Sequence, residues 1–125
     1  MKTKEELLKP VVKKSGLPDI TLQELSETLE KDGRLLIGCK GIVFDVSSRP
    51  DFYGKESGYH VFVGFDSSVA LAKMKFDQDY RDPSKFHWSR DLNVEELNVL
   101  EEWVVKYEKT YKIIGYIKDD GKLKI

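Results

Sequence analysis

The amino-acid sequence predicts a mixed α+β domain, and three local patterns carry that prediction. Thr21 with Glu24 and Asn93 with Glu96 each form a capping box ahead of an apolar-periodic stretch, so two helices have defined starts. Two apolar runs, Leu35 to Cys39 and Ile42 to Val46, meet across Lys40-Gly41, which predicts a hairpin. A segment of β-branched and aromatic residues, Tyr111 to Ile117, follows the longer helix and predicts a last strand. The chain has 125 residues, the size of one domain, without internal repeat or low-complexity segment.

Taken in order, residues 1–18 hold five lysines and two glutamates and lack the apolar run of a signal peptide. They are expected to form a lysine-rich, flexible tail or a packing arm. Leu7, Leu8, Val11 and Val12 give it a weak contact with an anionic membrane surface, but Pro10 breaks any helix there. The first helix places Leu22, Leu25 and Leu29 on one side and ends near Glu30, because Lys31-Asp32-Gly33 stops it. Ser47, Ser48 and Pro50 close the hairpin, and Asp51 to Gly58 reads as a polar loop. Tyr59, Phe62 and Val63 fall at helical spacing, predicting a single turn that ends at Gly64, and Asp66 is placed to cap a helix reaching Met74. Phe76 to Arg90 has no clean period and reads as a loop anchored by Phe86 and Trp88. Val94, Leu97, Leu100, Val104 and Tyr107 mark the longest helix, running to about Lys109. The domain is therefore drawn from residue 19 to 118, with a C-terminal tail from 119 to 125.

Composition narrows the function. Lys and Arg total 21 against 22 Asp and Glu, a net charge of -1, which lacks the basic footprint of a nucleic-acid binder. Mean hydropathy is -0.46 and no stretch of about 20 apolar residues is available for a bilayer. Cys39 is the only cysteine, so no intramolecular disulfide forms and an intracellular, reducing location is expected. G-x-S-x-G, a glycine-rich phosphate loop and H-E-x-x-H are all missing, no catalytic acid, base or nucleophile emerges, and turnover is not expected. His60 and His87 stand apart without a cysteine pair and are expected at the surface or in loops.

What remains is the tyrosine distribution. Tyr53 and Tyr59 flank the loop Gly54-Lys55-Glu56-Ser57-Gly58, with Phe52 and Phe62 just outside. Phenols in such a place serve as the lid of a core or, deprotonated, as hard anionic ligands for ferric iron, and the residues alone leave both readings open.

The ordered set Phe52-Tyr53-Gly54, Gly58-Tyr59, Val61-Phe62, Gly64, Asp66-Ser67-Ser68 and Leu71-Ala72 resembles the membrane-associated progesterone receptor family, a branch of the cytochrome b5-like haem/steroid-binding domains. The likeness extends through Thr21-Leu22-Glu24-Leu25, Leu36-Ile37, Gly41 to Val46, Trp103, Tyr111 and Gly115, from about Asp19 to Ile117. The resemblance implies a cytochrome b5-like fold with a haem cleft. It implies ferric haem b held by one axial tyrosine, at the position of Tyr59. Tyr53 and Tyr111 match tyrosines near the haem, and Phe62 falls beside the ligand. The H-P-G-G motif of cytochrome b5 itself is absent, which argues against a bis-histidine electron-transfer site at His60 and His87. A family lysine is replaced by Thr110, which removes a cation from beside the haem carboxylates, and a family arginine is replaced by Phe65. The implied function is a non-enzymatic haem carrier or regulator of haem enzymes such as cytochrome P450, with a haem-dependent homodimer and P450 enzymes as partners. An apo interaction or sterol-binding module of the same fold is the alternative. Because relatives carry an N-terminal membrane helix, the expected location is cytoplasmic, or the endoplasmic-reticulum membrane where such a helix has been trimmed away.

Overall fold

The computed structural model describes residues 2–118 and Asp120. Its elements are α1 (Lys4–Leu7), β1 (Asp19–Ile20), α2 (Leu22–Asp32), β2 (Leu36–Cys39), β3 (Ile42–Asp45), α3 (Pro50–Tyr53), a 3-10 turn (His60–Phe62), α4 (Ser68–Lys73), a second 3-10 turn (Gln78–Arg81), α5 (Trp88–Asp91), α6 (Val94–Thr110) and β4 (Lys112–Ile117). The strands form one sheet in the order β1-β4-β3-β2. β1 runs parallel to β4, and the other two pairings are antiparallel.

The hairpin forms where the sequence places it, because Lys40 and Gly41 both take positive φ, at 52° and 79°. That pair of left-handed residues matches the right-handed twist of the flanking strands. Side chains alternate across the sheet. Ile37, Ile42 and Phe44 point into the larger core with Leu71, Leu97, Leu100 and Tyr107, while Leu36, Val43 and Ile117 pack with Leu25 on the opposite side. Helices cover both faces, so β2 and β3 read as continuous apolar runs and not as alternating ones.

Both predicted capping boxes are present. The Thr21 hydroxyl accepts from the Glu24 amide at 3.0 Å and the Asn93 side chain from the Glu96 amide at 2.8 Å. α2 extends to Asp32, two residues past the expected end, and closes on Gly33 at φ 71°. Three differences stand out. The arm before residue 19 is packed at Leu7, which is fully buried where α1 meets α6. Asp19–Ile20, expected to close the tail, adds a strand beside β4. That close approach needs Gly115, where a Cβ would lie 2.7 Å from the Pro18 carbonyl oxygen. Finally, the loops expected at 51–58 and 76–90 contain α3, the second 3-10 turn and α5, all of one turn and too short for a hydrophobic period to register. Of the expected C-terminal tail, all but Asp120 lies outside the described residues.

Candidate functional site

α3 begins on Pro50, whose fixed φ suits a first helical position, and ends at Gly54. A Cβ on Gly54 would collide with the Pro50 carbonyl oxygen, which accepts from the Gly54 amide at 2.9 Å. The single turn sends Tyr53 inward and leaves Phe52 half exposed. The loop then folds back, because the Ser57 hydroxyl donates to the carbonyls of Pro50 and Asp51 at 3.0 and 2.9 Å. Tyr59 follows at the mouth of the first 3-10 turn.

Tyr59 is half-buried within an aromatic wall. Its ring lies 5.9 Å from those of Tyr53 and Phe62, 6.5 Å from Phe52, and 6.3 Å from Phe76, to which it is nearly parallel at 13°. Behind it, Tyr53 meets Tyr111 edge-on at 6.2 Å. All four residues singled out from the sequence, Tyr53, Tyr59, Phe62 and Tyr111, thus share one cluster.

The phenols differ in what their hydroxyls do. Tyr53 and Tyr107 hydroxyls are 2.7 Å apart and buried. Burial pushes the Tyr53 phenol up to about 12, with the Tyr107 hydrogen bond pulling the other way. Tyr107 is pushed up further still by burial and by Tyr53. Burial also raises Tyr111, the Arg49 charge lowers it, and Asp51 raises it. The Tyr59 hydroxyl has no hydrogen-bond partner among the described residues.

Sequence reasoning missed three contributors. Phe76 stands in the aperiodic segment and is half exposed beside Tyr59. Tyr107 sits in the core-facing series of α6, so the pattern marks it as packing and hides its hydroxyl partner. Arg49 stacks 4.1 Å over Phe52 and is close enough to Tyr111 to act on it electrostatically, although Asp51 holds it at 2.7 Å. Thr110 turns away from any such role, its hydroxyl donating to the Lys106 carbonyl at 2.9 Å.

The two histidines are far apart in environment. His60 holds the Tyr53 carbonyl oxygen with Nδ1 at 2.8 Å and so braces α3 against the 3-10 turn. His87, expected at the surface or in a loop, is instead 3% exposed. In the neutral ring Nδ1 accepts from the Ser89 amide at 3.1 Å and the proton sits on Nε2, 2.9 Å from Asp120 Oδ1; in the charged ring Nδ1 donates to the Ser89 hydroxyl at 2.7 Å instead. Asp66 lies in the same cluster, all three ligand-type atoms falling within 4.8 Å. With both ring nitrogens engaged, His87 has no lone pair to offer a cation, and the trio is a hydrogen-bonded latch. Asp66, expected as the cap of α4, lies one residue before it: Ser67 is the N-cap and makes no side-chain cap bond, while Asp66 Oδ1 accepts from the Ser68 amide at 3.1 Å.

No family model matches the chain. Curated relatives do, among them the following three. The chain is 32% identical over 101 residues to probable steroid-binding protein 3 of Arabidopsis thaliana, covering 79% of this chain and 97% of that one. It is 30% identical over 106 residues to human membrane-associated progesterone receptor component 2, covering 83% of this chain and 47% of that one. The chain belongs to the membrane-associated progesterone receptor family. Another member of the family, the cytochrome P450 regulator dap1 of Schizosaccharomyces pombe, is 33% identical over 101 residues, with coverage of 78% and 61%. A solved Arabidopsis structure described as having a cytochrome b5-like fold superimposes with a TM-score of 0.69 at 32% identity, covering 84% of this chain and 94% of that one. The family fold predicted from the sequence is therefore the observed one. Family members carry the names of steroid-binding proteins and of a P450 regulator. Among the described residues no helix is long and apolar enough to cross a membrane.

Proposed function

We propose that this chain binds ferric haem b through the Tyr59 phenolate and acts as a haem carrier or as a regulator of haem enzymes such as cytochrome P450. The observation that carries this reading is the division of labour among the phenols. Tyr53 and Tyr107 share one hydrogen bond in the core, and burial keeps both protonated. The half-buried Tyr59 hydroxyl has no partner among the described residues and stands in a wall of Tyr53, Phe62 and Phe76. An apolar, aromatic surface around the uncommitted Tyr59 oxygen, with the Tyr111 hydroxyl likewise without a partner among the described residues, fits a flat macrocycle carrying a hard cation. When bound, ferric iron supplies the positive charge that makes a phenolate the stable form of the ligand.

The roles of the protein side chains follow. Tyr59 donates one oxygen, Phe62 and Phe76 cover the apolar face, and Tyr53, locked by Tyr107, backs the ligand ring. Tyr111 and Arg49 stand at the polar edge, where a carboxylate of the ligand meets a hydroxyl and a guanidinium, and Arg49 serves there in place of the cation missing at Thr110. One protein ligand leaves the opposite side of the macrocycle open, so a haem-dependent homodimer and a P450 enzyme are the proposed partners. The name of the fission-yeast relative supports the second. The names of other relatives support sterol binding on the same aromatic face as the alternative. Neither reading requires turnover by this chain. The domain is proposed to span residues 19–118, with the arm before it tied down at Leu7.

An absorption titration with ferric haem, run on the wild type and on Tyr59→Phe, tests the proposal. Stoichiometric binding with a high-spin phenolate spectrum that Tyr59→Phe loses is expected. A low-spin spectrum that survives Tyr59→Phe overturns the ligand assignment, and no binding by either protein turns the question to sterols.

A further inference from the structure

The turn that carries Tyr59 is only three residues long, too short to hold itself by helical hydrogen bonds. Two are internal, from the Phe62 amide to the Tyr59 carbonyl at 3.1 Å and from the Val63 amide to the His60 carbonyl at 3.0 Å. The next two carbonyls have no following turn to accept from. Phe62 is capped locally by the buried Ser67 hydroxyl at 2.8 Å. Val61 is capped from 20 residues further on, by Arg81 Nη1 at 2.5 Å.

Arg81 is an expensive way to cap one carbonyl. Its guanidinium lies 3.8 Å over the ring of Phe65, and its Nε is buried without a partner. It takes part in no ion pair among the described residues, although Asp79 and Asp82 are close in sequence; Asp79 pairs with Lys85 instead. Partial burial lowers its pKa, as expected for a cation drawn partly out of water. An orphaned donor on a partly buried cation costs stability. What the arrangement gains is positional. Arg81 ends the 3-10 turn that follows Phe76, and Phe76 is the ring stacked on Tyr59. The guanidinium therefore ties the Tyr59 turn to the segment that supplies the facing wall, using Phe65 as a flat platform. A lysine offers a donor but no plane to lie on that ring.

We infer that Arg81 is the positioning residue of this site, fixing the Tyr59 turn against the Phe76 segment so that the phenol and its aromatic wall keep the spacing a flat ligand requires. This inference rests on Tyr59 being the ligand, and its test separates the two. Arg81→Gln and Arg81→Lys are each studied without haem, by amide hydrogen exchange, and with it, by absorption titration beside the wild type and Tyr59→Phe.

Without haem, Arg81→Gln should speed exchange at the Phe62 and Val63 amides about tenfold while the α6 amides keep their protection, since a charge-assisted hydrogen bond is lost. Arg81→Lys should restore part of that protection. Haem affinity should fall about tenfold in Arg81→Gln, with a phenolate band that is broadened but present. Unchanged exchange at Phe62 and Val63 in either variant overturns the clamp. Faster exchange with haem affinity and spectrum unaltered overturns the positioning role. A wild-type spectrum retained by Tyr59→Phe overturns the ligand assignment, and with it the inference, while the exchange rates still decide the clamp. If Arg81→Gln fails to fold, Arg81→Lys carries the same readouts.

Discussion

A phenol in a protein core is a polar group that must find a partner, and the three tyrosines behind Tyr59 show how one site uses this. Tyr53 and Tyr107 share one hydrogen bond at 2.7 Å in the core, one hydroxyl donating and the other accepting. Tyr53→Phe strands the Tyr107 hydroxyl in the core, which should cost about 1–3 kcal/mol. The double variant with Tyr107→Phe should cost less than the sum of the singles, because the stranded group is gone. Denaturant unfolding of the three variants checks this, and strict additivity would show that the pair does not couple. The same pair sets an alkaline limit. Tyr53 is raised in the folded state to about 12 from an ordinary value of 10.0. The unfolded chain therefore releases this proton first. Stability is full below pH 10 and declines as pH rises through the folded value, by about 3 kcal/mol for a shift of that size. Following tyrosinate absorbance against pH should show a titration delayed until the protein unfolds, and Tyr53→Phe should retain more of its stability in that window.

Elements as short as these are held by side chains from elsewhere, and the Asp66–His87–Asp120 latch is the clearest case. It joins the start of α4, the start of α5 and the turn after β4. Burial lowers the His87 pKa, but the Asp120 hydrogen bond and the charges of Asp120 and Asp66 outweigh it, and the net shift is upward. Burial and the Asp120 charge also raise Asp66, against the hydrogen bonds from Ser68 and the His87 charge. A group raised on folding contributes stability below its unfolded value and loses it as pH rises through the folded one. Thermal stability should therefore decline as pH climbs from about 6.5 through the raised His87 value, and His87→Gln should flatten that slope. A slope unchanged in His87→Gln would remove the latch as its source. Elements of this kind are also what the sequence hides. Capped helices and the Lys40-Gly41 hairpin were legible because their signals are local, and the tyrosine cluster because the spacing of Tyr53, Tyr59 and Tyr111 matched a known pattern. α3, α5 and β1 span four, four and two residues, less than any hydrophobic period can report. The buried state of His87 and the reach of Arg81 depend on partners 33 and 20 residues away, which no local pattern encodes.

Across the whole molecule, α6 is the shared support. It carries Tyr107 behind the aromatic site at one end, and it packs against α1 and α4 on its flanks. Leu7 is fully buried against this framework, so the arm before the domain contributes to the core and not only to solubility. Leu7→Ala should cost about 2–5 kcal/mol, as emptying a fully buried leucine site does. In a chain of this length each kcal/mol shifts Tm by roughly 4 °C, so a fall of roughly 8–20 °C is expected. The loss should be global, because a single cooperative core transmits it. It should leave the site's own geometry alone, since α1 packs chiefly against α6. Haem spectrum and stoichiometry in Leu7→Ala, measured well below its Tm, should match the wild type, in contrast to Arg81→Gln, where the band changes and α6 stays protected. A Leu7→Ala protein with wild-type Tm would mean that the arm is not part of the folded core. One with an altered phenolate band would mean that α6 transmits packing changes from the arm to the aromatic site.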